Sequence, residues 1–133
     1  MDNSLFMNTL SKNESLKSIK LIRLLFSSKS SVFIYPFKVV YTVLEEDESV
    51  PVQMLISVGK RKIRTAVARN RIKRLFREAY RLNRHTLIDV VNKKQMHIAL
   101  AFVYVGDIDP DFQFIEERVK KSLDILEQKI DTV

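Results

Sequence analysis

The sequence predicts an α+β domain in which helices pack on a single sheet. Segments that alternate apolar and polar residues are typical of strands, and they are mixed with segments whose apolar residues recur every three or four positions, as in helices. With 133 residues, 46% of them hydrophobic, the chain is most simply one domain that can bury a core. It contains no cysteine, which excludes disulfides and thiolate metal sites.

The start of the chain is predicted to be a partly ordered lead-in over residues 1–17, followed by the domain proper over residues 18–133. This start lacks the basic and apolar pattern of a signal peptide. The longest apolar run, residues 98–105, is too short to cross a bilayer. We therefore expect a cytoplasmic protein that has no membrane partner.

The first helix is predicted over residues 19–27, with Ser18 as its N-cap. Its apolar positions at helical spacing are Ile19, Ile22, Leu25 and Phe26. For Phe26 the sequence alone favours core packing, because large apolar side chains are usually buried.

Two strands are predicted next, over residues 32–43 and 52–58, as a hairpin joined by the acidic turn at residues 45–49. In the first strand the two-residue period places alternate residues on one face: Tyr35, Phe37, Val39, Tyr41 and Val43. Pro36 indicates an edge or a bulge. In the second strand, Val52, Met54, Ile56 and Val58 share a face opposite to that of Gln53, Leu55 and Ser57. A short extra strand near residues 60–63 is a further option.

The second helix is predicted to start at Ala66 after the cap Thr65. Its apolar stripe consists of Ile72, Leu75, Phe76, Ala79 and Leu82. The opposite side carries Asn70, Lys73, Arg74, Arg77, Arg81 and Arg84, with Arg69 and Arg71 on the flanks. The sequence therefore predicts one helix with a buried face and a face of basic groups.

Nearly all of the positive charge lies in and before this helix. Residues 60–84 hold eleven basic residues and one acid, Glu78, so the segment carries +10 while the rest of the chain carries −3. A solvated helix face is the alternative, but such faces usually mix charges of both signs. Arg also binds phosphate through a planar fork. This pattern favours a nucleic-acid partner.

The last third of the chain is predicted to contain a polar connection at residues 83–95, a central strand at residues 96–105 and a helix from Asp111 to about Lys129. The strand is nearly continuous apolar sequence, which is typical of a strand covered on both faces. The inner positions of the helix are Ile115, Val119, Ser122, Leu126 and Ile130.

Residues that could catalyse hydrolysis are sparse. His85 and His97 are not at metal-ligand spacing, and the loop with Asp107, Asp109 and Asp111 departs from a calcium loop, since it lacks the glycine and the terminal Glu. No two-metal nuclease site is evident. The chain instead offers cations for phosphate and aromatic rings for bases.

A family resemblance appears in the basic segment. Residues 68–78, Ala-Arg-Asn-Arg-Ile-Lys-Arg-Leu-Phe-Arg-Glu, resemble the Arg-Asn-Arg signature helix of the bacterial ribonuclease P protein family. Residues 57–61 resemble that family's strand end and basic pair. The resemblance is strong over residues 55–80, and weaker but collinear over 18–43 and 96–126. It implies a single-domain α/β sandwich with a four-stranded mixed sheet, three helices and a left-handed crossover, whereas the general rule is right-handed.

The resemblance also implies a function. The family's protein is the non-catalytic subunit of ribonuclease P, an endoribonuclease that removes the 5′ leader from precursor tRNA. Its partners are the catalytic RNA and the leader, and no obligate protein partner is evident. Magnesium is expected to be held mainly by the RNA, with none bound tightly by the protein alone.

Site residues follow from the matched positions. The RNA-binding set is Lys60, Arg61, Arg69, Asn70, Arg71, Lys73, Arg74, Arg77 and Arg81. The leader-groove set is Phe26, Tyr41 and Ser57, although the sequence does not fix whether Tyr41 and Ser57 share a face. The family usually has an aromatic residue where Ile22 stands and a glycine where Lys29 stands. The acidic turn is expected to point away from RNA.

Three other functions are compatible with part of this pattern. A general structured-RNA-binding, ribosome-associated protein would have the same charge distribution. A DNA-binding module would place the basic helix in the major groove, but no helix-turn-helix pair or dimerisation heptad is evident. An independent metal-dependent nuclease would need the missing metal site. For Asn70, a local hydrogen bond within the helix is the alternative to RNA binding.

Overall fold

The computed structural model describes residues 14–28, 30–45 and 50–132. Four helices and four strands follow one another along the described chain: α1 (Ile19–Ser27), β1 (Ser31–Ile34), β2 (Phe37–Leu44), β3 (Val52–Val58), α2 (Ala66–Asn83), α3 (His85–Lys93), β4 (His97–Tyr104) and α4 (Phe112–Asp131). The predicted α+β class is confirmed, with four helices where three were expected.

The strands form one mixed sheet in the order β1-β2-β4-β3. β1 pairs with β2, and β2 with β4, in antiparallel fashion, whereas β3 and β4 run parallel. The crossover from β3 to β4 therefore includes α2 and α3. Its left-handedness stays a prediction.

Each face of the sheet has its own cluster of buried residues. The inner face, which carries Val39, Ile56 and Phe102, packs under the larger cluster with α2, α3 and α4. The outer face, which carries Val40 and Ala101, packs against α1 in a smaller cluster. The predicted central strand is confirmed, since β4 is buried on both faces from residue 98 to residue 102.

The expected hairpin between the first two predicted strands is wrong. Residues 32–43 are not one strand, because the chain reverses at Tyr35 and Pro36, which are joined by a cis peptide bond, and β1 folds back on β2. β3 does not pair with β2, since β4 lies between them. Glu45 is exposed, and the rest of the acidic turn, residues 46–49, lies outside the described residues. Residues 60–63 form a turn and a bend rather than an extra strand.

The polar connection expected at residues 83–95 is also wrong, because most of it forms α3. Leu87 and Val91 lie one turn apart and are fully buried, so the helix docks through a narrow apolar stripe. The apolar residues of this segment all lie within residues 87–91, between polar stretches at 83–86 and 92–95, and those stretches led to the prediction of a polar connection.

Helix α1 has the predicted bounds, and the Ser18 hydroxyl accepts the N–H of Leu21 at 3.3 Å. Its predicted stripe is only partly correct, because Leu25 is fully buried whereas Ile19 and Phe26 are exposed. Core packing for Phe26 is therefore wrong. No described element covers the far side of α1, so a large apolar side chain there stays in solvent.

The chain before α1 lies against the domain from residue 14 onward. The Glu14 carboxylate accepts from Arg84 Nε at 2.7 Å, and the Leu16 N–H donates to the Met54 carbonyl at 2.9 Å. Residues 1–13 lie outside the described residues, and the boundary at residue 18 stays a prediction. None of the helices in the described ranges has both the length and the apolar character needed to span a membrane.

Candidate nucleic-acid interface

Helix α2 begins and docks as its sequence predicts. The Thr65 hydroxyl accepts the N–H of Ala68 at 3.2 Å, which caps the helix. The Phe76 ring lies 4.7 Å from Phe102 and 5.6 Å from Phe37, measured between ring centroids. These contacts hold the apolar side of α2 on the inner face of the sheet.

The predicted apolar stripe needs two corrections at its C-terminal end. Leu82 is 42% exposed, whereas Tyr80, which was not part of the predicted stripe, is fully buried. The buried side is centred between Ile72 and Phe76, so Leu82 falls on its margin. The helix ends at Asn83, and Arg84, expected on the basic side, is instead buried in its ion pair with Glu14.

The basic face of α2 is open to solvent. Asn70, Arg74 and Arg77 are exposed, and Lys73 is half-buried beside them. Within the described part of the chain the Asn70 side chain makes no hydrogen bond, so the alternative of a local bond finds no support. Arg81 also lies on this side, but its guanidinium group binds both oxygens of Glu78, at 3.1 and 2.5 Å. This hydrogen bond lowers the pKa of Glu78.

The two flanking arginines contact the neighbouring loops. Arg69 Nη1 donates to the carbonyls of Ile63 and Arg64, both at 2.9 Å. Arg71 Nη1 binds the Asp109 carboxylate at 2.5 Å and the Pro110 carbonyl at 2.9 Å. These contacts use one terminal nitrogen of each guanidinium group, so they orient both arginines at the N-terminal end of the basic face.

The predicted basic pair extends this face toward the sheet. Gly59, Lys60 and Arg61 form an exposed turn directly after β3. Lys62 Nζ donates to the Val105 carbonyl at 2.9 Å, which fixes the turn beside the end of β4. The positive charge therefore continues from α2 to the end of the sheet.

The predicted leader-groove residues do not all lie on one side of the sheet. Ser57 pairs with Val103 on the outer face, the face on which α1 lies, and the Phe26 side chain of α1 is 49% exposed. Tyr41 pairs with Leu100 and packs against the inner cluster. Because Leu100 and Val103 are an odd number of residues apart on β4, Tyr41 and Ser57 lie on opposite faces of the sheet.

Tyr41 instead contacts the end of α1 through its backbone. Its carbonyl accepts the Ser28 hydroxyl at 3.0 Å, and its N–H donates to the Ser30 carbonyl at 3.1 Å. These bonds fix the C-terminal end of α1 against β2. Ile22, which stands where the family usually has an aromatic residue, is half-buried in the outer cluster. Lys29 lies outside the described residues.

Metal-ligating side chains do not gather anywhere in the described ranges: no group of three or more His, Asp or Glu residues is placed to hold an ion. Of the two histidines, His97 lies at the start of β4, with Nδ1 3.1 Å from the Val50 carbonyl oxygen. The candidate site residues therefore offer cationic groups, an amide and aromatic rings for binding, rather than metal ligands.

Comparisons with known proteins agree with this geometry. The family model described as Ribonuclease P matches residues 10–126. The ribonuclease P protein component of Porphyromonas gingivalis strain ATCC 33277 is 44% identical over 114 residues, covering 86% of this chain and 83% of that protein. The protein of the same name from Chlorobium phaeobacteroides is 32% identical over 127 residues, covering 88% and 87%.

Solved structures show the same fold. The Staphylococcus aureus RNase P protein superposes with a TM-score of 0.66 at 22% identity, and the Thermotoga maritima RNase P protein with a TM-score of 0.64 at 22% identity. Each comparison covers 86% of this chain and 96% of the other. With a family match over residues 10–126, close relatives along most of its length and the same fold, the chain belongs to the ribonuclease P protein family.

Proposed function

We propose that this chain assists a catalytic RNA in removing the 5′ leader from precursor tRNA, and that the active site lies in that RNA. The observation that carries the proposal is the continuous basic surface formed by Asn70, Arg74 and Arg77 of α2 and by the turn at Lys60 and Arg61. Guanidinium groups bind phosphate through paired hydrogen bonds, which suits docking on a folded RNA.

Magnesium belongs to the RNA in this proposal. The described residues offer no cluster of carboxylates or histidines that fits the ion, so the protein acts through charge. The catalytic RNA and precursor tRNA are both polyanions, and a localised positive surface offsets part of their repulsion. High magnesium does some of the same work, so the advantage given by the protein shrinks as magnesium rises.

The leader is proposed to lie on the outer face of the sheet beside α1. Phe26 presents an exposed ring that stacks on an unpaired base, and the Ser57 hydroxyl is available to sugar or phosphate. Tyr41 keeps α1 in place through its backbone. A cytoplasmic location, where precursor tRNA is processed, is part of this proposal.

The test is single-turnover cleavage of precursor tRNA over a magnesium series, with and without the protein, on long-leader and leaderless substrates. We expect the complex to cleave at low magnesium where the RNA alone does not. Substituting Arg69 and Arg71 by Ala should reduce this advantage and leave the RNA's own high-magnesium activity intact. Lys129→Ala, at the far end of α4, is the matched control. Cleavage at the mature 5′ end by the protein without RNA would overturn the proposal.

The same assay distinguishes the proposed function from the remaining alternative. A general structured-RNA-binding protein would bind the catalytic RNA without lowering its magnesium requirement. The comparisons give that alternative no support, because the family match and the relatives name ribonuclease P. If the protein's effect does not depend on leader length, docking on the catalytic RNA remains supported, whereas leader binding beside α1 is contradicted.

A further inference from the structure

The outer face of the sheet continues beyond the groove to the edge strand β1. One row of paired positions crosses all four strands, from Phe33 on β1 through Lys38 and Val103 to Ser57 on β3. Neighbouring strands lie about 4.8 Å apart, so three spacings give the row a width of about 14 Å. Phe33 and Lys38 were not among the sequence candidates, since the turn that places them was not foreseen.

The side chains of this row are all at least partly exposed to solvent. Phe33 is 60% exposed and Lys38 is exposed, while Val103 and Ser57 are half-buried. An exposed aromatic ring beside a cation offers the two groups that bind single-stranded nucleic acid, a surface on which bases stack and a positive charge for phosphate. No Asp or Glu occupies an outer-face position on any of the four described strands, so none of the strand side chains on this face repels a polyanion.

We propose that Phe33 and Lys38 extend the leader groove onto β1, where Phe33 stacks on an unpaired base and Lys38 binds a neighbouring phosphate. Aromatic residues on the open face of a sheet bind single-stranded RNA in this manner. The proposal rests on the proposed function, and it adds two leader-binding residues beyond Phe26 and Ser57. The occupant is the single-stranded 5′ leader.

The position of the row also indicates which leader nucleotides contact which of its residues. Ser57 lies two residues before Gly59, where the basic turn begins, whereas Phe33 lies on the opposite edge of the sheet. If the basic surface docks on the catalytic RNA, the leader enters the groove at β3 and runs toward β1. Phe33 therefore contacts nucleotides that are farther from the cleavage site than those at Ser57.

The experiment measures the affinity of the reconstituted complex for precursor tRNAs whose leaders are lengthened one nucleotide at a time. Phe33→Ala should weaken binding of the longest leaders by about fivefold or more, since fivefold is the smallest loss expected when one base no longer stacks on a ring. Its affinity for leaderless substrate should be unchanged. Phe33→Trp should retain the affinity, whereas Phe33→Leu should lose it. Val43→Ala, which removes an exposed apolar side chain on the opposite face of β2, should have no effect.

Lys38 gives a second readout. On long leaders, Lys38→Ala should lower the magnitude of the log–log salt slope by about 0.7, the value for one phosphate contact of a single strand. Lys129→Ala should leave that slope unchanged.

The outcomes separate the two proposals. If Phe26→Ala removes the leader dependence but Phe33→Ala and Lys38→Ala leave every leader unchanged, only the extension is overturned. If Phe26→Ala also has no effect, the groove itself is overturned. Self-association of the protein that Phe33→Ala abolishes would assign β1 to a second copy of the chain and would overturn the extension as well.

Discussion

Arg71 and Arg74 lie three residues apart on α2 but in different surroundings. Arg71 binds Asp109 and the Pro110 carbonyl, whereas Arg74 is exposed and forms no ion pair within the described ranges. Exposed ion pairs contribute at most about 1 kcal/mol, so phosphate can replace Asp109 at low cost. Arg74 needs no such exchange, and it is the simpler probe of phosphate binding.

Arg74→Ala should lower the magnitude of the log–log salt slope for RNA binding by about 0.7 to 0.9, because it removes one phosphate contact. The measurement is the dissociation constant for the catalytic RNA over a salt series. Lys129→Ala, outside the basic segment, should leave the slope unchanged. The reverse result, with Lys129 affecting the slope and Arg74 not, would place the binding surface elsewhere.

Tyr104 gives a prediction at high pH. Burial raises its pKa to about 12, with smaller effects of Tyr35, Asp109 and Asp107, and its hydroxyl donates to the Ile108 carbonyl at 2.8 Å. A raised pKa means that the folded state holds the proton more tightly than the unfolded state. This contribution to stability is therefore complete below about pH 10, the unfolded value, and is lost as pH rises toward 12.

The free energy of unfolding, measured with denaturant from pH 9 to pH 12, should fall less steeply for Tyr104→Phe than for the unchanged protein. Burial also raises the pKa of Tyr80, so part of the decline should remain in the variant. Tyr41→Phe, on a half-buried ring, is the matched control. Parallel curves for Tyr104→Phe and the unchanged protein would contradict this assignment.

At the scale of elements, α2 combines the core and the interface in one helix. Its inner side is held by Phe76, which contacts Phe37, Tyr80 and Phe102. Those contacts fix the direction in which the basic side chains point. Loss of the inner contacts should therefore weaken RNA binding without removing any charge.

Phe76→Ala should lower the free energy of unfolding by about 3 kcal/mol or more, because the ring is fully buried and its removal leaves a cavity. Denaturant melts provide the measurement. Leu82→Ala, on the same helix but 42% exposed, should change the free energy by only about 0.5 kcal/mol. Equal midpoints for the two variants would mean that the orientation of α2 is different.

The sequence predicted those elements that have long, regular patterns. The bounds of α1, the start of α2 and the inner positions of α4 needed only local periodicity and caps, and they are confirmed. The β1–β2 hairpin was missed because residues 32–43 alternate through the turn, and only tertiary contacts show where the chain reverses. α3 was missed because its apolar residues lie within the short segment 87–91, which polar stretches flank on both sides.

The sequence predicted which side of α2 is exposed, but not how the strand residues are placed on the two faces of the sheet. The basic face of α2 depends on one helical period, so the exposed Asn70, Arg74 and Arg77 were found from sequence. The groove depends on the register between three strands, which a single sequence does not contain. Tyr41 was therefore grouped with Ser57 although the two lie on opposite faces, and the positions of Phe33 and Lys38 on the outer face were not foreseen.

At the scale of the whole molecule, the two proposed binding surfaces meet at one end of the sheet. The basic surface lies on the helical layer that covers the inner face, and the groove lies on the outer face. The turn at Lys60 and Arg61, after the end of β3, connects them. This arrangement suits a protein that holds one RNA on each side, with the junction of the two RNAs at this turn.

The place of β4 in the sheet also has a consequence during synthesis on the ribosome. β4 lies between β2 and β3 in the sheet, yet it comes after α2 and α3 in the chain. Neither β2 nor β3 can therefore pair with β4 until residue 104 has left the ribosome. Until then the nascent chain presents unpaired strand edges and a strongly basic helix close to ribosomal RNA. The sheet therefore closes late, and a nascent chain that stalls before β4 is exposed both to aggregation and to capture by the wrong RNA.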